Sequence, residues 1–93
     1  MAEPADTTRQ RLDKWLWHVR LQPTRTKAAG FIRDGNVRLN GVRILDPSKS
    51  IRPGDVLTLA LPQQTSVVRI CALLPRRVSA SVAAPAFEDI SAP

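Results

Sequence analysis

The sequence has little of what most catalytic sites need. It contains one cysteine, one histidine and no tyrosine, and no closely spaced pair of carboxylates in a plausible cleft. These groups are too few for a nucleophile with its base and orienting partner, or for a metal site. We therefore expect no enzymatic activity and no cofactor. We expect His18 to be an ordinary surface residue and Cys71 an inert, small hydrophobic residue within a strand.

Disulfides, membrane spans and secretion signals are also missing from the sequence. A lone cysteine excludes an intrachain disulfide and favours a reducing compartment. No segment approaches the ~20 consecutive apolar residues that cross a bilayer. The opening residues MAEPADTT hold two acids and no apolar run, unlike a secretory signal. The sequence predicts a soluble, cytoplasmic protein with no membrane partner, in which residues 1–8 form a flexible leader.

Positive charge is abundant and unevenly distributed. The net charge is +6 and the pI about 11.1. Residues 9–52 carry eleven Arg or Lys and three acids, whereas the remaining residues carry three Arg and five acids. A basic half of this kind favours a nucleic acid as partner, over a membrane surface, an acidic protein or simple solubility.

The spacing of apolar residues predicts two short helices. Apolar side chains recur at helical spacing from Leu12 to Val19, which indicates a helix that begins near Arg11 and ends near Gln22 and Pro23. A second helix should be capped by Thr24, should stop near Asp34 and Gly35, and should bury three residues. These are Ala28, Phe31 and Ile32.

Strands are predicted after the helices. Val37–Leu39 and Val42–Ile44 flank an Asn-Gly pair, the strongest short signal for a hairpin. Val56–Leu61 and Val67–Leu74 read as further strands, each closed by a proline. The fold class is therefore α+β: two short packed helices, then a hairpin and a small, mainly antiparallel curved sheet.

The predicted hairpin places Arg38 directly opposite Arg43. Like charges at facing positions are destabilising, unless a phosphate lies between them and accepts hydrogen bonds from both. The alternative is that both side chains simply point into water. The other face of the hairpin should pack on the core through Val37, Leu39, Val42 and Ile44.

Two further features fit an anion-binding surface. Arg25 and Lys27 lie in the first turn of the second helix, where the helix dipole disfavours cations and favours a bound phosphate, and Arg33 extends this surface. A solvated basic face is the alternative. Trp17 projects away from the apolar stripe, so it either stacks on an unpaired base or packs with Leu21 under the C-terminal segment, against Phe87.

The motifs RLDKWLW, PTRTKAAGFIRDGNVRLNG and SKSIRPGDVLTL together resemble the RNA-binding domain first defined in small-subunit ribosomal protein four, over residues 9–74. The resemblance implies its fold, the alpha-L RNA-binding motif. Two segments, RLDKWLWHVR and FEDISAP, are similar to one branch of this family, the ribosome-associated heat-shock protein fifteen branch. Members of that branch usually continue into a basic tail, so we interpret residues 75–93 as an extension truncated before such a tail.

The resemblance also implies a function. A member of this branch would bind ribosomal RNA of the large subunit and rescue or recycle subunits blocked by a nascent chain on tRNA under stress. Transfer RNA would be a further candidate partner, and the free protein would be a monomer. The RNA surface would consist of Arg11, Lys14, Thr24, Arg25, Lys27, Arg33, Arg38, Asn40 and Arg43.

Two alternatives remain open at this point. The same domain is often appended to RNA-modifying enzymes, so the chain could be the RNA-binding portion of a larger rRNA-modifying enzyme. It could also be an adaptor that docks another protein through Trp17, Leu21 and the C-terminal segment. The residues alone do not separate these functions.

Overall fold

The computed structural model describes residues 8–91 and has helices packed on one face of an antiparallel sheet. The predicted α+β class is confirmed. None of the helices in this described range is long and apolar enough to cross a membrane. In chain order the elements are β1 (Gln10–Arg11), α1 (Leu12–His18), α2 (Arg25–Arg33), β2 (Val37–Leu39), β3 (Val42–Ile44), β4 (Ser50–Ile51), β5 (Val56–Ala60), β6 (Thr65–Ile70), α3 (Ala80–Ala83), a 3-10 turn (Ala84–Ala86) and β7 (Phe87–Asp89).

The main sheet has five strands in the order β3-β2-β5-β6-β7. All its neighbouring strands are antiparallel. A separate two-stranded ladder joins β1 to β4 and ties the start of α1 to the segment after the hairpin. Sequence reasoning missed β1 and β4, because two-residue strands have no detectable alternation, and it also missed α3 and β7.

The core lies between the two long helices and the inner face of the sheet. The strands contribute alternate residues from Val37 to Ile70, and α1 and α2 contribute their apolar stripes. Trp15 is fully buried, and its indole N–H donates to the Ala72 carbonyl at 2.9 Å. The ring of Phe87 meets the Trp15 ring edge-on, with centroids 6.2 Å apart. A buried Trp whose N–H has a partner is a stable anchor for the C-terminal segment.

Helix α1 is shorter than predicted, because the chain leaves the helix after His18 rather than near Pro23. Arg20 takes a left-handed conformation with φ of 66°. The Arg20 N–H donates to the Trp17 carbonyl at 3.1 Å, and the Leu21 N–H to the Leu16 carbonyl at 3.0 Å. This is a Schellman ending with arginine where glycine is usual. Without a glycine to mark it, this ending could not be located from the local sequence.

Helix α2 follows its prediction closely. The Thr24 hydroxyl accepts the Lys27 N–H at 3.0 Å, which confirms the N-cap. Gly35 has φ of 83°, and its N–H donates to the Ile32 carbonyl at 3.0 Å. Ala28 and Ile32 are buried, whereas Phe31 is only half-buried at the margin of the core.

The hairpin has the predicted register, with Arg38 opposite Arg43. Asn40 and Gly41 both have positive φ, as a tight two-residue turn requires. We predicted that Val42 packs on the core, and this prediction is wrong, because its side chain is 65% exposed. The strand that carries Val42 is the edge of the sheet, so one of its sides lacks a neighbouring strand.

The last strand and Cys71 also differ from the prediction. Strand β6 runs from Thr65 to Ile70, so it begins two residues before the predicted start at Val67 and excludes the four residues before Pro75. Cys71 follows the strand and is exposed, and the prediction of a sheltered residue within a strand is therefore wrong. After the strand, the Cys71 and Ala72 N–H groups both donate to the Ala86 carbonyl, at 2.8 and 3.0 Å.

Candidate nucleic-acid interface

The buried carboxylate of Asp13 organises the start of α1. Asp13 is only 3% exposed. The Arg11 guanidinium donates to both of its oxygens, at 2.9 and 3.1 Å, and the Arg25 Nε lies 3.7 Å from Oδ2. The hydrogen bond and charge of Asp13 raise the pKa of Arg11 further above its ordinary value. One carboxylate therefore holds two arginines from different elements in a fixed relation.

Three predicted RNA-binding arginines lie on one surface that includes this carboxylate. Arg11, Arg25 and Arg33 line a concave surface of about 310 Å³ between the start of α1 and α2. We call this surface the helical patch. Arg25, Ala29 and Arg33 are four residues apart on α2, so they share one face. Its lining is completed by Asp13, Thr26 and Ala29.

The other predicted residues of the two helices lie outside that concavity. Lys27 is exposed on the first turn of α2, and Lys14 is half-buried on α1. The Thr24 hydroxyl is occupied as an acceptor by its capping hydrogen bond, although its own proton remains available to an anion.

A second concavity lies on the outer face of the sheet, and we call it the sheet groove. It has a volume of about 390 Å³ and contains the facing pair Arg38 and Arg43. A Cβ placed on Gly35 would lie 3.5 Å from Cδ of Arg43, so this side chain runs along the end of α2. Among residues 8–91, neither guanidinium has a hydrogen-bond or ion-pair partner. The lining residues are Gly35, Asn36, Arg38, Gly41, Arg43, Thr58, Ala60 and Thr65.

Asn40 differs from the other predicted site residues, because its side chain is bound to the protein. Its Nδ2 donates to Asp55 at 3.2 Å, and its Oδ1 accepts the Val56 N–H at 2.9 Å. The Asp55 carboxylate also accepts the Arg52 N–H at 3.0 Å. The amide of Asn40 therefore fixes the hairpin turn against β5.

Trp17 packs against the C-terminal segment, through a partner that the sequence did not indicate. The guanidinium carbon of Arg77 lies 6.0 Å from the centroid of the half-buried ring. Arg77 also donates to the carbonyls of Trp17 and Gln22. Phe87, the predicted neighbour, contacts Trp15 instead. One face of the Trp17 ring is thus covered by a cation.

His18 is buried, so the prediction of a surface residue is wrong. It is 5% exposed, and its Nδ1 donates to the Leu74 carbonyl at 2.7 Å. Burial lowers the pKa of His18, the Leu74 carbonyl opposes this shift, and the charges of Lys14, Arg25 and Arg77 reinforce it. Within the described range, no cluster of three or more His, Cys, Asp or Glu side chains could hold a metal ion.

Comparisons with known proteins agree with the fold. The S4 domain family matches residues 10–57. The chain is 38% identical over 93 residues to the heat shock protein 15 homolog of Aeromonas salmonicida, covering 99% of this chain and 70% of that protein. It is 39% identical over 79 residues to Escherichia coli heat shock protein 15, covering 85% and 59% of the two chains. The solved heat shock protein 15 of Vibrio cholerae, described as trimeric, superposes with a TM-score of 0.84 at 32% identity, covering 89% of this chain and 83% of that one.

Proposed function

Because the chain belongs to the S4 family of RNA-binding domains, in its heat shock protein 15 branch, we propose that it binds ribosomal RNA of the large subunit. The observation that carries this proposal is the helical patch, in which buried Asp13 holds Arg11 and Arg25 beside Arg33. Guanidinium groups fixed in this way bind phosphates in a bidentate manner. The partner is therefore recognised through its backbone and shape.

The arrangement supports binding rather than catalysis. Its polar groups are three arginines, the Thr26 hydroxyl and the Asp13 carboxylate, which is buried and already paired with Arg11 and Arg25; such a set positions a phosphate. In the proposed role the protein occupies large subunits that are blocked by a nascent chain on tRNA, and contributes to their rescue or recycling under stress.

The protein acts in the cytoplasm and is a monomer when free. Sedimentation of the purified protein checks its oligomeric state, and a stable oligomer would contradict the monomer.

The affinity for purified large subunits, measured against salt concentration, tests the proposed partner. Five to seven phosphate contacts give a log–log slope of about −4 to −6, at ~0.7–0.9 per contact. Arg25→Gln with Arg33→Gln should lower the affinity and flatten the slope. Arg69→Gln with Arg76→Gln removes the same charge away from the patch and serves as the control. A flat salt response of the native chain, or equal affinity for small subunits, would contradict the proposal.

The rescue role needs a separate measurement. Large subunits that carry peptidyl-tRNA should bind the protein more tightly than vacant subunits prepared in the same way. Equal affinity for the two particles would contradict the rescue role and would leave the binding of ribosomal RNA intact.

A further inference from the structure

The connection between α1 and α2 is held by two arginines that lie far apart in the chain. Arg77, in the C-terminal segment, donates to the carbonyl of Trp17 and, at 3.3 Å, to the carbonyl of Gln22. In the opposite direction, the Nε of Arg20 donates to the Val78 carbonyl. These three hydrogen bonds join the end of α1 and the connection after it to the C-terminal segment.

The Gln22 carbonyl is close in the chain to the start of α2. It belongs to the planar peptide bond before Pro23, whose ring fixes its own φ. The residue before a proline is itself restricted to extended conformations. Thr24 follows as the N-cap of α2. Two conformationally restricted residues therefore separate the carbonyl that Arg77 holds from the first residue of the helix.

The position of α2 decides where two arginines of the helical patch lie. Arg25 is the first residue of α2 and Arg33 is the last. The Nε of Arg25 lies 3.7 Å from Oδ2 of Asp13, which belongs to α1. This ion pair joins the two helices, so its geometry depends on how α2 lies against α1.

The connection also contains a residue in an unfavourable conformation. Arg20 has φ of 66°, in the left-handed region that disfavours any residue with a Cβ. Its hydrogen bond to the Val78 carbonyl and the two bonds from Arg77 are made only when the C-terminal segment is in place. The C-terminal segment therefore stabilises a connection whose local sequence does not favour its conformation.

We propose that Arg77 is a positioning residue for RNA binding, which holds the connection between α1 and α2 and thereby the orientation of Arg25 and Arg33. In this role Arg77 acts through its Nη1, which donates to two protein carbonyls, and it makes no contact with RNA. It lies outside residues 10–57, which match the S4 family, so the helical patch depends on a segment beyond the family match. The proposal rests on the RNA binding proposed above.

A variant that keeps the charge tests this role. Arg77→Lys keeps the charge but lacks the planar fork that reaches both carbonyls. With purified large subunits as the probe, it should bind about three- to tenfold more weakly, because binding must then order the arginines of the patch. The matched control is Arg76→Lys, at the exposed neighbouring position, which should stay within about twofold. Each affinity is referred to the folded fraction, measured by circular dichroism at the same temperature.

Two further measurements separate positioning from stability and from direct contact. Trp17→Ala removes the ring that Arg77 covers but keeps the backbone carbonyl, so it should lower stability and leave affinity within about twofold. In the background of Arg25→Gln with Arg33→Gln, Arg77→Lys should cost less than about twofold more, because the side chains that it positions are gone. A direct contact between Arg77 and RNA would give its full loss in that background as well.

The outcomes distinguish this proposal from the proposed function. Weaker binding of Arg77→Lys that disappears in the double-variant background supports the positioning role. Equal weakening by Trp17→Ala, or an undiminished loss in that background, would overturn it. If Arg77→Lys binds like Arg76→Lys while Arg25→Gln with Arg33→Gln loses affinity, the positioning role is overturned and the proposed function stands. If that double variant also keeps full affinity, both are overturned.

Discussion

Among single residues, Asp13 is negatively charged and yet supports the binding of an anion. An acid on an RNA-binding surface repels phosphate, yet this one is buried and holds Arg11 and Arg25 in place. Its backbone neighbour Lys14 also donates its N–H to Oδ1 at 2.8 Å. Sequence reasoning assigned it no role, although an acid within so basic a segment was a signal that could have been used.

The variant Asp13→Asn separates positioning from charge. It raises the net charge by one, so electrostatics alone predicts tighter RNA binding. We expect about three- to tenfold weaker binding, because the arginines lose the charged acceptor that orients them. Affinities at fixed salt check this. Asp34→Asn is the control with the same charge change at an exposed position, and it should tighten binding slightly; tightening by both variants would contradict the positioning role.

His18 predicts a specific pH dependence of stability. Its folded pKa lies below the ordinary value of 6.5, so the unfolded chain takes up the proton first. The stabilisation is complete above that value and is lost as the pH falls below it, by at most about 1.4 kcal/mol per pH unit for one proton. Urea unfolding of the native chain and of His18→Gln, from about pH 7 to about pH 5, measures it.

The pH range in which His18 titrates is separate from that of the aspartates. Asp46 and Asp89 have pKa values lowered by their serine hydrogen bonds, so their contributions are lost only at more acidic pH. The native chain should lose more stability across the His18 window than His18→Gln does. Equal losses would show that the histidine does not titrate differently on folding.

At the scale of elements, local signals predicted α2 and the hairpin, and they failed for α1 and the C-terminal segment. Thr24, Gly35 and the Asn-Gly turn act through their own backbone, so their effect can be read from the sequence. The end of α1 depends instead on contacts from Arg77 and on the carbonyl of Val78, which accepts from Arg20. Such contacts join residues about sixty positions apart, and no local pattern encodes them.

Two glycines near each other should respond in opposite directions to alanine. Gly30 lies inside α2, and a Cβ added to it would meet no atom within 4 Å apart from its chain neighbours and the backbone of its own helix, so Gly30→Ala should stabilise the fold by about 0.5–1 kcal/mol. Gly35 has φ of 83°, and Gly35→Ala should cost about 1–2 kcal/mol through backbone strain. Thermal unfolding of both variants checks the pair, and a shift of the same sign in both would contradict it.

The role of Trp17 can be decided by one substitution. Since its ring is covered by Arg77, we expect Trp17→Ala to lower stability by about 1–2 kcal/mol and to leave RNA affinity within about twofold. A base-stacking role would instead cost ~1–3 kcal/mol of binding. Trp17→Phe, which keeps an aromatic surface for Arg77, is the control and should restore most of the stability.

At the scale of the whole molecule, positive and negative side chains lie at opposite edges of the main sheet. The basic strands β2 and β3 lie at one edge of the sheet, and β7, with Glu88 and Asp89, forms the other edge. Four strand spacings separate these edges, or about 19 Å. This exceeds the screening length of about 8–10 Å at physiological salt.

The acidic edge should therefore have little influence on RNA binding. Glu88→Gln with Asp89→Asn raises the net charge by two, and we expect the affinity for large subunits to change by less than about twofold. Arg25→Gln with Arg33→Gln changes the charge by the same amount at the patch and should have a much larger effect. A strong gain from the acidic-edge variant would mean that net charge, and not its location, controls affinity.

The candidate site was predictable in composition but not in arrangement. The basic half and the facing pair in the hairpin follow from spacing alone, and the structure brings Arg11, Arg25 and Arg33 together as one surface. The division into a helical patch and a sheet groove was not foreseen, because it depends on which face of the sheet the helices cover. The engagement of Asn40 with β5 was missed because it depends on the pairing of β2 with β5, which no local pattern encodes.

The hydrogen bonds between α1 and the C-terminal segment have a consequence for folding during translation. Trp15, Trp17 and His18 find their partners only at residues 72–77, and β7 is added later still. During translation the segment that matches the S4 family is therefore complete in sequence well before its first helix can be fixed in place. We expect α1 to be fixed in place in the nascent chain only after residues 72–77 have emerged from the ribosome.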